Sequence, residues 1–160
     1  MSFYINNYNP KLKWPLSESD IVNIHNKKTK IFINKISAGF ISLWIGVERL
    51  INDAHNHNLK LAIATSTSFS NAKVILESTL GKDALNFFEV VAAGDIVDKK
   101  KPASDIYDHV LDKMNLNCNE CVVIEDSEIG FQSLNSAGLK TVITLSEYTN
   151  TKNFKGALVV

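Results

Sequence analysis

The chain has 160 residues, its 17 Lys and Arg residues balance its 17 Asp and Glu residues, and 45% of the sequence is hydrophobic. This length and composition predict a globular fold with a real core and argue against intrinsic disorder. A chain without net charge lacks the electrostatic field that non-specific nucleic-acid binders use. No apolar run approaches the roughly 20 residues of a membrane span. We therefore expect neither a nucleic acid nor a membrane as a partner.

The two cysteines, Cys118 and Cys121, are too few for a disulfide framework, which indicates a reducing compartment. Their CxxC spacing lacks the second ligand pair that a zinc site needs, and it precedes a predicted strand rather than the helix of a redox motif. The first fifteen residues contain no apolar core of a signal peptide. We expect a cytoplasmic protein, with the plastid stroma as the alternative compartment.

The predicted elements begin with helices and continue as alternating strands and helices. Ser17 or Ser19 is a suitable N-cap for a helix over 21–36, which Gly39 ends, and a second helix covers 47–57. The apolar run 59–65 predicts a strand buried on both faces. The remaining predicted elements are helix 70–80, strand 88–93, helix 103–114, strand 121–125, helix 129–137, strand 140–145 and strand 157–160. This alternation predicts a doubly wound parallel sheet.

Polar residues follow three of the predicted strands directly. They are the hydroxyl run 65–68, Gly94 with Asp95, and Glu125-Asp126-Ser127. In an open α/β sheet, ligands bind beyond the carboxyl ends of the strands. We therefore expect these three clusters to converge at one edge of the sheet.

The first two candidate sites each leave two interpretations open. Thr65 and Ser66 precede a helix, so their hydroxyl groups and free N–H groups form either an anion site or an ordinary helix cap. Pro102 biases Lys101 toward an extended backbone that could aim its ammonium group at a phosphate. The alternative for a lysine triplet is a solvated charge run, and we expect that of Lys99 and Lys100.

The adjacent carboxylates of Glu125 and Asp126 end an apolar strand, where they need a cation or hydrogen-bond donors. Hard oxygen ligands suit Mg²⁺, which commonly takes one or two protein carboxylates together with water and phosphate oxygens. The alternative is an acidic cap at the start of the following helix.

The order of these features resembles the haloacid dehalogenase (HAD) superfamily, and within it the β-phosphoglucomutase/CbbY-like branch. The stretches that carry the resemblance are LKLAIATSTS, VVAAGDIVDKKKPASDIYDHVLDKMNL and CVVIEDSEIGFQSLNSAGLKTVIT. The resemblance implies an α/β, HAD-type doubly wound Rossmann-like sheet. In that fold, residues 1–42 would be part of a helical cap and residues 43–160 the core.

The resemblance also implies roles for individual residues. Thr65 and Ser66 would hold the transferring phosphoryl group, and Lys101 would neutralise its oxygens. Asp126, supported by Glu125, would bind Mg²⁺. The expected substrate contacts are Thr67, Ser68 and, from the cap, Lys28.

One feature of the family has no counterpart here. Its nucleophile is an Asp after the first strand, with a second Asp two residues later, and the 160 residues contain no Asp-x-Asp. In the family, that strand lies between the strands that correspond to 60–65 and 121–125. We therefore expect the chain alone to be unstable, or another chain or segment to fill the slot. Phe3-Tyr4-Ile5 is the candidate within the chain.

The resemblance implies a Mg²⁺-dependent phosphatase that acts on a small phosphorylated sugar through an aspartyl-phosphate, seen here as an N-terminally truncated and inactive chain. One alternative is a non-catalytic, phosphate-binding regulatory protein. A second is a sugar phosphomutase, although mutase-like relatives carry a basic residue where Ser68 and Phe69 stand. A phosphoacceptor signalling domain fits poorly, because Lys101 precedes Asp126.

Overall fold

The computed structural model describes residues 17–146, residue 149 and residues 154–160. Phe3-Tyr4-Ile5 lies outside these residues. The chain divides into two compact units, residues 1–42 and 43–160. None of the described helices is both long enough and apolar enough to cross a bilayer.

The described part of the first unit is dominated by helix α1, Glu18–Ser37. Ser17 is the N-cap, and a reciprocal capping box fixes this end: Asp20 N donates to Ser17 Oγ (3.2 Å), and Ser17 N donates to Asp20 Oδ2 (3.0 Å). These bonds satisfy two backbone donors that have no partner inside the helix. The predicted helix and its capping serine are therefore confirmed. Its interpretation as part of a cap domain stays a prediction.

The second unit alternates helices and strands, as predicted. Its elements are α2 (Val47–Asn56), β1 (Ala62–Ala64), α3 (Phe69–Leu80), β2 (Val90–Ala92), α4 (Asp105–Met114), β3 (Val122–Glu125), α5 (Glu128–Ser136) and β4 (Lys140–Ile143). The predicted strand 157–160 is wrong, because only a single parallel bridge joins Val159 to Val142.

The strands form two parallel pairs instead of one continuous sheet. β1 pairs with β2 in the register Ala62 to Val90, and β3 pairs with β4 in the register Val122 to Lys140. Within the described ranges, β1 and β3 are not hydrogen-bonded to each other. The two pairs therefore present facing edges.

The principal core lies where α4 and α5 pack against the strands. Its fully or nearly buried members are Ala92, Ile106, Tyr107, Leu134 and Leu139. A smaller cluster joins Phe131, Ile143 and Phe154. Both clusters lie in the second unit, and the first places the Tyr107 ring beside the carboxyl ends of the strands.

Burial of the strands on both faces is not observed. Ala62 in β1 is exposed, and in β3 Val122 and Ile124 are 59% and 50% exposed. These side chains lie on β1 and β3, and the face of β3 that carries Val122 and Ile124 is open to solvent. The apolar sequence pattern identified the strands correctly but not their surroundings.

Candidate functional site

A buried ion pair joins the segment after β2 to the end of β3. Lys101 Nζ lies 3.2 Å from Glu125 Oε2, and the two side chains are only 10% and 11% exposed. The same ammonium group donates to Ala64 O at the end of β1 (3.4 Å) and contacts the Tyr107 hydroxyl oxygen (2.6 Å). Lys101 therefore connects the carboxyl ends of β1 and β3, as the predicted convergence requires.

The carboxylate of Glu125 is saturated with donors. Oε1 accepts hydrogen bonds from Asp126 N (3.1 Å), Ser127 N (3.0 Å) and Ser127 Oγ (2.8 Å), while Oε2 accepts from Lys101 and from the Tyr107 hydroxyl (3.2 Å). Burial alone would raise the pKa of Glu125. The Ser127 hydroxyl, the Lys101 charge and the two backbone N–H groups outweigh it and lower that pKa to about 2. Glu125 is therefore an ionised anchor for Lys101.

Gly130, in the first turns of α5, leaves room for this carboxylate. A Cβ atom at Gly130 would lie 2.1 Å from Glu125 Oε2 and 2.2 Å from its carboxyl carbon. No side chain can occupy that space without displacing the carboxylate. Glycine is required at position 130 because the Glu125 carboxylate approaches the helix backbone closely, although glycine has a lower helix propensity than alanine.

Asp126 is an exposed residue whose carboxylate lies beside that of Glu125. Its pKa is raised, first by partial burial and then by the neighbouring Glu125 carboxylate. A cation would relieve this repulsion. One carboxylate with water and phosphate oxygens is a donor set that Mg²⁺ accepts, so Asp126 fits this ion. The described residues hold no group of three or more His, Cys, Asp or Glu side chains that could bind a metal ion.

The hydroxyl run 65–68 forms a tight turn between β1 and α3. Thr67 N donates to Thr65 Oγ1 (3.3 Å), and Gly94 N donates to Thr67 O (2.7 Å). A Cβ atom at Gly94 would lie 2.3 Å from Ser66 O, so only glycine permits this approach. Thr65 and Thr67 are partly buried, whereas Ser66 is exposed. The loop is thus held by the backbone of the turn after β2.

Asp95, in the turn after β2, also contacts the first backbone N–H group of α3. Phe69 N lies 3.4 Å from Asp95 Oδ2, while the N-cap residue Ser68 makes no side-chain capping bond. The N-cap position is thus held by Ser68 and not by Thr65 or Ser66, the two residues for which a helix cap was the alternative to an anion site.

The structure brings some predicted residues together and leaves others apart. Lys101 and Glu125 are in contact, and Thr65 and Asp126 are the next residues along from the two strand ends that Lys101 joins. Lys28 is exposed on α1, in the other compact unit, so its expected contact with a substrate stays a prediction.

Sequence reasoning missed several contacts. The sequence places Tyr107 only in a predicted helix. Its contact with Lys101 becomes evident only in the folded structure. Asn71 Nδ2 donates to Thr67 Oγ1 (3.3 Å), a contact that the i, i+4 spacing could have suggested. The expectation that Lys100 is a freely solvated residue is wrong. Its ammonium group donates to Gly94 O (2.6 Å) and to Val97 O.

The CxxC and histidine residues take no part in this site. Cys118 and Cys121 are free thiols, and burial, followed by the charge of Glu120, raises the pKa of Cys121. His57 Nδ1 lies 2.7 Å from Asp53 O, so this ring contacts a backbone carbonyl group at the carboxyl end of α2.

Comparison with known proteins gives consistent matches over most of the chain. The family model for haloacid dehalogenase-like hydrolases matches residues 4–144. Protein CbbY of Rhodobacter capsulatus is 40% identical over 141 residues, which are 88% of this chain and 62% of that protein. A CBBY-like protein of Arabidopsis thaliana is 30% identical over 98% of this chain and 50% of its own length. The chain thus spans only about half to two thirds of these relatives.

Solved structures match the fold closely. CbbY from Rhodobacter sphaeroides, as a variant in complex with xylulose-(1,5)bisphosphate, superposes with a TM-score of 0.88 at 31% identity, covering 99% of this chain and 69% of that one. A β-phosphoglucomutase from Clostridium difficile gives a TM-score of 0.78 at 26% identity, with 99% and 68% covered. These matches confirm the predicted α/β Rossmann-like fold class.

Proposed function

Because this chain belongs to the haloacid dehalogenase-like hydrolase family, we propose that it forms part of a Mg²⁺-dependent phosphatase that acts on a sugar phosphate or sugar bisphosphate. The observation that carries the proposal is the buried Lys101–Glu125 pair, which ties the ends of β1 and β3 together beside Thr65 and Asp126. A cation, hydroxyl groups and a carboxylate near one sheet edge form a set suited to a bound phosphate and its metal ion.

In this proposal the protein mainly positions the phosphoryl group and stabilises its charge. Thr65 holds the phosphoryl group through its hydroxyl, and Ser66 holds it through its hydroxyl and backbone N–H group, in the loop that precedes α3. Lys101 neutralises phosphate oxygens, and Glu125 keeps that ammonium group charged and fixed in position.

Asp126 is the proposed Mg²⁺ ligand, and Glu125 supports it from the buried side. When bound, the ion neutralises charge on the phosphate oxygens. The exposure of Asp126 and the complete occupancy of the Glu125 carboxylate support this division of roles.

The proposed substrate class, a phosphorylated sugar, rests on the proposed substrate contacts outside the phosphate site and on one relative. CbbY of Rhodobacter sphaeroides has been crystallised with xylulose-(1,5)bisphosphate. Thr67, Ser68 and Lys28 are the proposed substrate contacts in this protein. We place the protein in the cytoplasm, with the plastid stroma as the alternative, in view of its Arabidopsis relative.

The nucleophile is proposed to come from outside residues 1–160, because no Asp-x-Asp occurs among them. The aspartyl-phosphate would form on that residue, so the 160-residue chain alone is expected to be inactive. Extending the reading frame upstream is the first test. An apolar strand followed by Asp-x-Asp supports the proposal, and an in-frame stop directly before Met1 supports the non-catalytic phosphate-binding alternative.

The activity test uses the extended protein. Phosphate release is measured from xylulose 1,5-bisphosphate and from sugar monophosphates, with Mg²⁺ and with EDTA. We expect release that EDTA and Asp126→Asn abolish and that Lys99→Met leaves unchanged. Absence of release from every substrate would refute the phosphatase. Transfer of phosphate within the sugar instead of release would establish the phosphomutase alternative, for which the structural match to β-phosphoglucomutase is the supporting observation.

A further inference from the structure

The ammonium group of Lys100 is bound by two backbone carbonyl groups. Lys100 Nζ donates to Gly94 O (2.6 Å) and to Val97 O, and both acceptors belong to the turn that directly follows β2. Lys100 is an exposed residue, whereas Gly94 is buried. Hydrogen bonds from a charged donor are stronger than those between neutral groups. The lysine side chain therefore closes residues 94–100 into a compact turn.

Packing contributes little to the order of this turn. Among residues 95–99, Val97 packs against the principal core, whereas the other four are exposed, and Ile96 is exposed to 46%. A segment with few buried apolar contacts opens locally at a low cost in free energy. The order of the turn thus depends on its hydrogen bonds, and those of Lys100 are the ones that carry a full charge.

Gly94 joins this turn to the hydroxyl run 65–68. Its N–H group donates to Thr67 O (2.7 Å), while its carbonyl group accepts from Lys100. The two backbones approach too closely for any side chain, since a Cβ atom at Gly94 would lie 2.3 Å from Ser66 O. The position of Gly94 therefore sets the position of the hydroxyl run, and Lys100 holds Gly94 through its carbonyl group.

The other end of the turn leads directly to Lys101. Lys100 and Lys101 are neighbours in the chain, and Lys101 Nζ contacts Glu125 Oε2 (3.2 Å) and Ala64 O (3.4 Å). Lys100 is thus connected to Lys101 by a peptide bond and to the hydroxyl run by Gly94. It lies between the two sets of phosphate-binding groups in the proposed site.

We propose that Lys100 is a positioning residue that fixes the hydroxyl run 65–68 relative to Lys101. This inference rests on the proposed function, in which residues of that run and Lys101 bind the phosphoryl group. Lys100 acts through Gly94, because its ammonium group uses two of its three N–H donors on backbone carbonyl groups. Binding donors that are already held in place lose less conformational freedom when the phosphate arrives, so they bind it more tightly.

The first test is residue-resolved amide exchange of the 160-residue protein and its variant Lys100→Met. We expect exchange of the Gly94 and Thr67 amides to become about tenfold faster, because the variant loses the charged donor that orders the turn. The Thr144 amide, which donates to Glu125 O (2.9 Å) in the other strand pair, is the internal control and should not change.

The second test measures the affinity of the variants for inorganic phosphate by NMR titration. Lys100→Met should bind phosphate about tenfold more weakly than the parent protein. Lys99→Met is the matched control, since it removes the same charge from an exposed position in the same run and should bind like the parent. Lys100→Arg keeps a charged donor and should recover most of the affinity.

Several results would overturn the proposal. They are unchanged exchange of the Gly94 and Thr67 amides in Lys100→Met, equal phosphate affinity of Lys100→Met and Lys99→Met, and equal loss of affinity in Lys100→Arg and Lys100→Met. Faster exchange at Thr144 to the same extent would also contradict it, because Lys100 would then act on global stability. If the parent protein does not bind phosphate, the proposed phosphate site is wrong, and the exchange of Gly94 and Thr67 still decides whether Lys100 fixes the hydroxyl run.

Discussion

Lys101 Nζ lies 2.6 Å from the hydroxyl oxygen of Tyr107 and 4.7 Å from the centroid of its ring. The same hydroxyl donates to Glu125 Oε2 (3.2 Å), so Tyr107 holds both members of the buried ion pair. Burial, and then the negative charge of Glu125, raises the pKa of Tyr107 well above its ordinary value. The hydroxyl therefore keeps its proton and remains a donor at any physiological pH.

Replacing Tyr107 by Phe removes this donor but keeps the ring in the core. We expect a loss of about 1 kcal/mol in the free energy of unfolding, the ordinary contribution of one hydrogen bond. Urea denaturation measures it. Tyr107→Leu, which also loses ring packing, should cost about 2–4 kcal/mol. An unchanged free energy of unfolding in Tyr107→Phe would show that the hydroxyl contributes nothing.

Breaking the ion pair should destabilise the protein more strongly. Lys101→Met leaves the Glu125 carboxylate buried without its cation, and we expect a loss of about 3 kcal/mol. Lys99→Met is the matched control, because Lys99 is exposed in the same lysine run and should change stability by less than about 0.5 kcal/mol. Similar effects at both positions would contradict the assignment of Lys101 as the buried member of the run.

Gly130→Ala should destabilise the protein although alanine is the better helix former. The gain in helix propensity is about 1 kcal/mol, whereas forcing the Glu125 carboxylate aside should cost about 2–3 kcal/mol. Thermal unfolding gives the net effect. Ser136→Ala, at an exposed position on the same helix, is the comparison and should leave the melting temperature nearly unchanged.

Stability should fall in acid through Glu125. Its folded-state pKa of about 2 lies below its ordinary value of 4.5, so its contribution is complete above pH 4.5 and disappears as the pH falls toward 2. Unfolding free energies measured in EDTA between these pH values should therefore decline. In Glu125→Gln the decline should be shallower, while Glu128→Gln should follow the parent protein. An unchanged slope in Glu125→Gln would contradict the lowered pKa.

Much of the fold could be predicted because its signals are local. The capping serine of α1, the apolar runs of the strands and the order of the helices depend on neighbouring residues, and the structure agrees with each. The strand at 157–160 failed because a single bridge joins this segment to β4, and the pairing does not continue into a ladder.

The sequence alone determined which chemical groups follow each strand: a hydroxyl run, a lysine before proline and an acidic pair. Tertiary structure determined the role of each group, because Lys101, Tyr107 and Glu125 meet only when α4 packs beside β1 and β3. It also decided that the two strand pairs stand apart with a groove between them. The pattern of apolar residues indicates which segments form strands. Hydrogen bonding between distant segments determines which strand edges are paired.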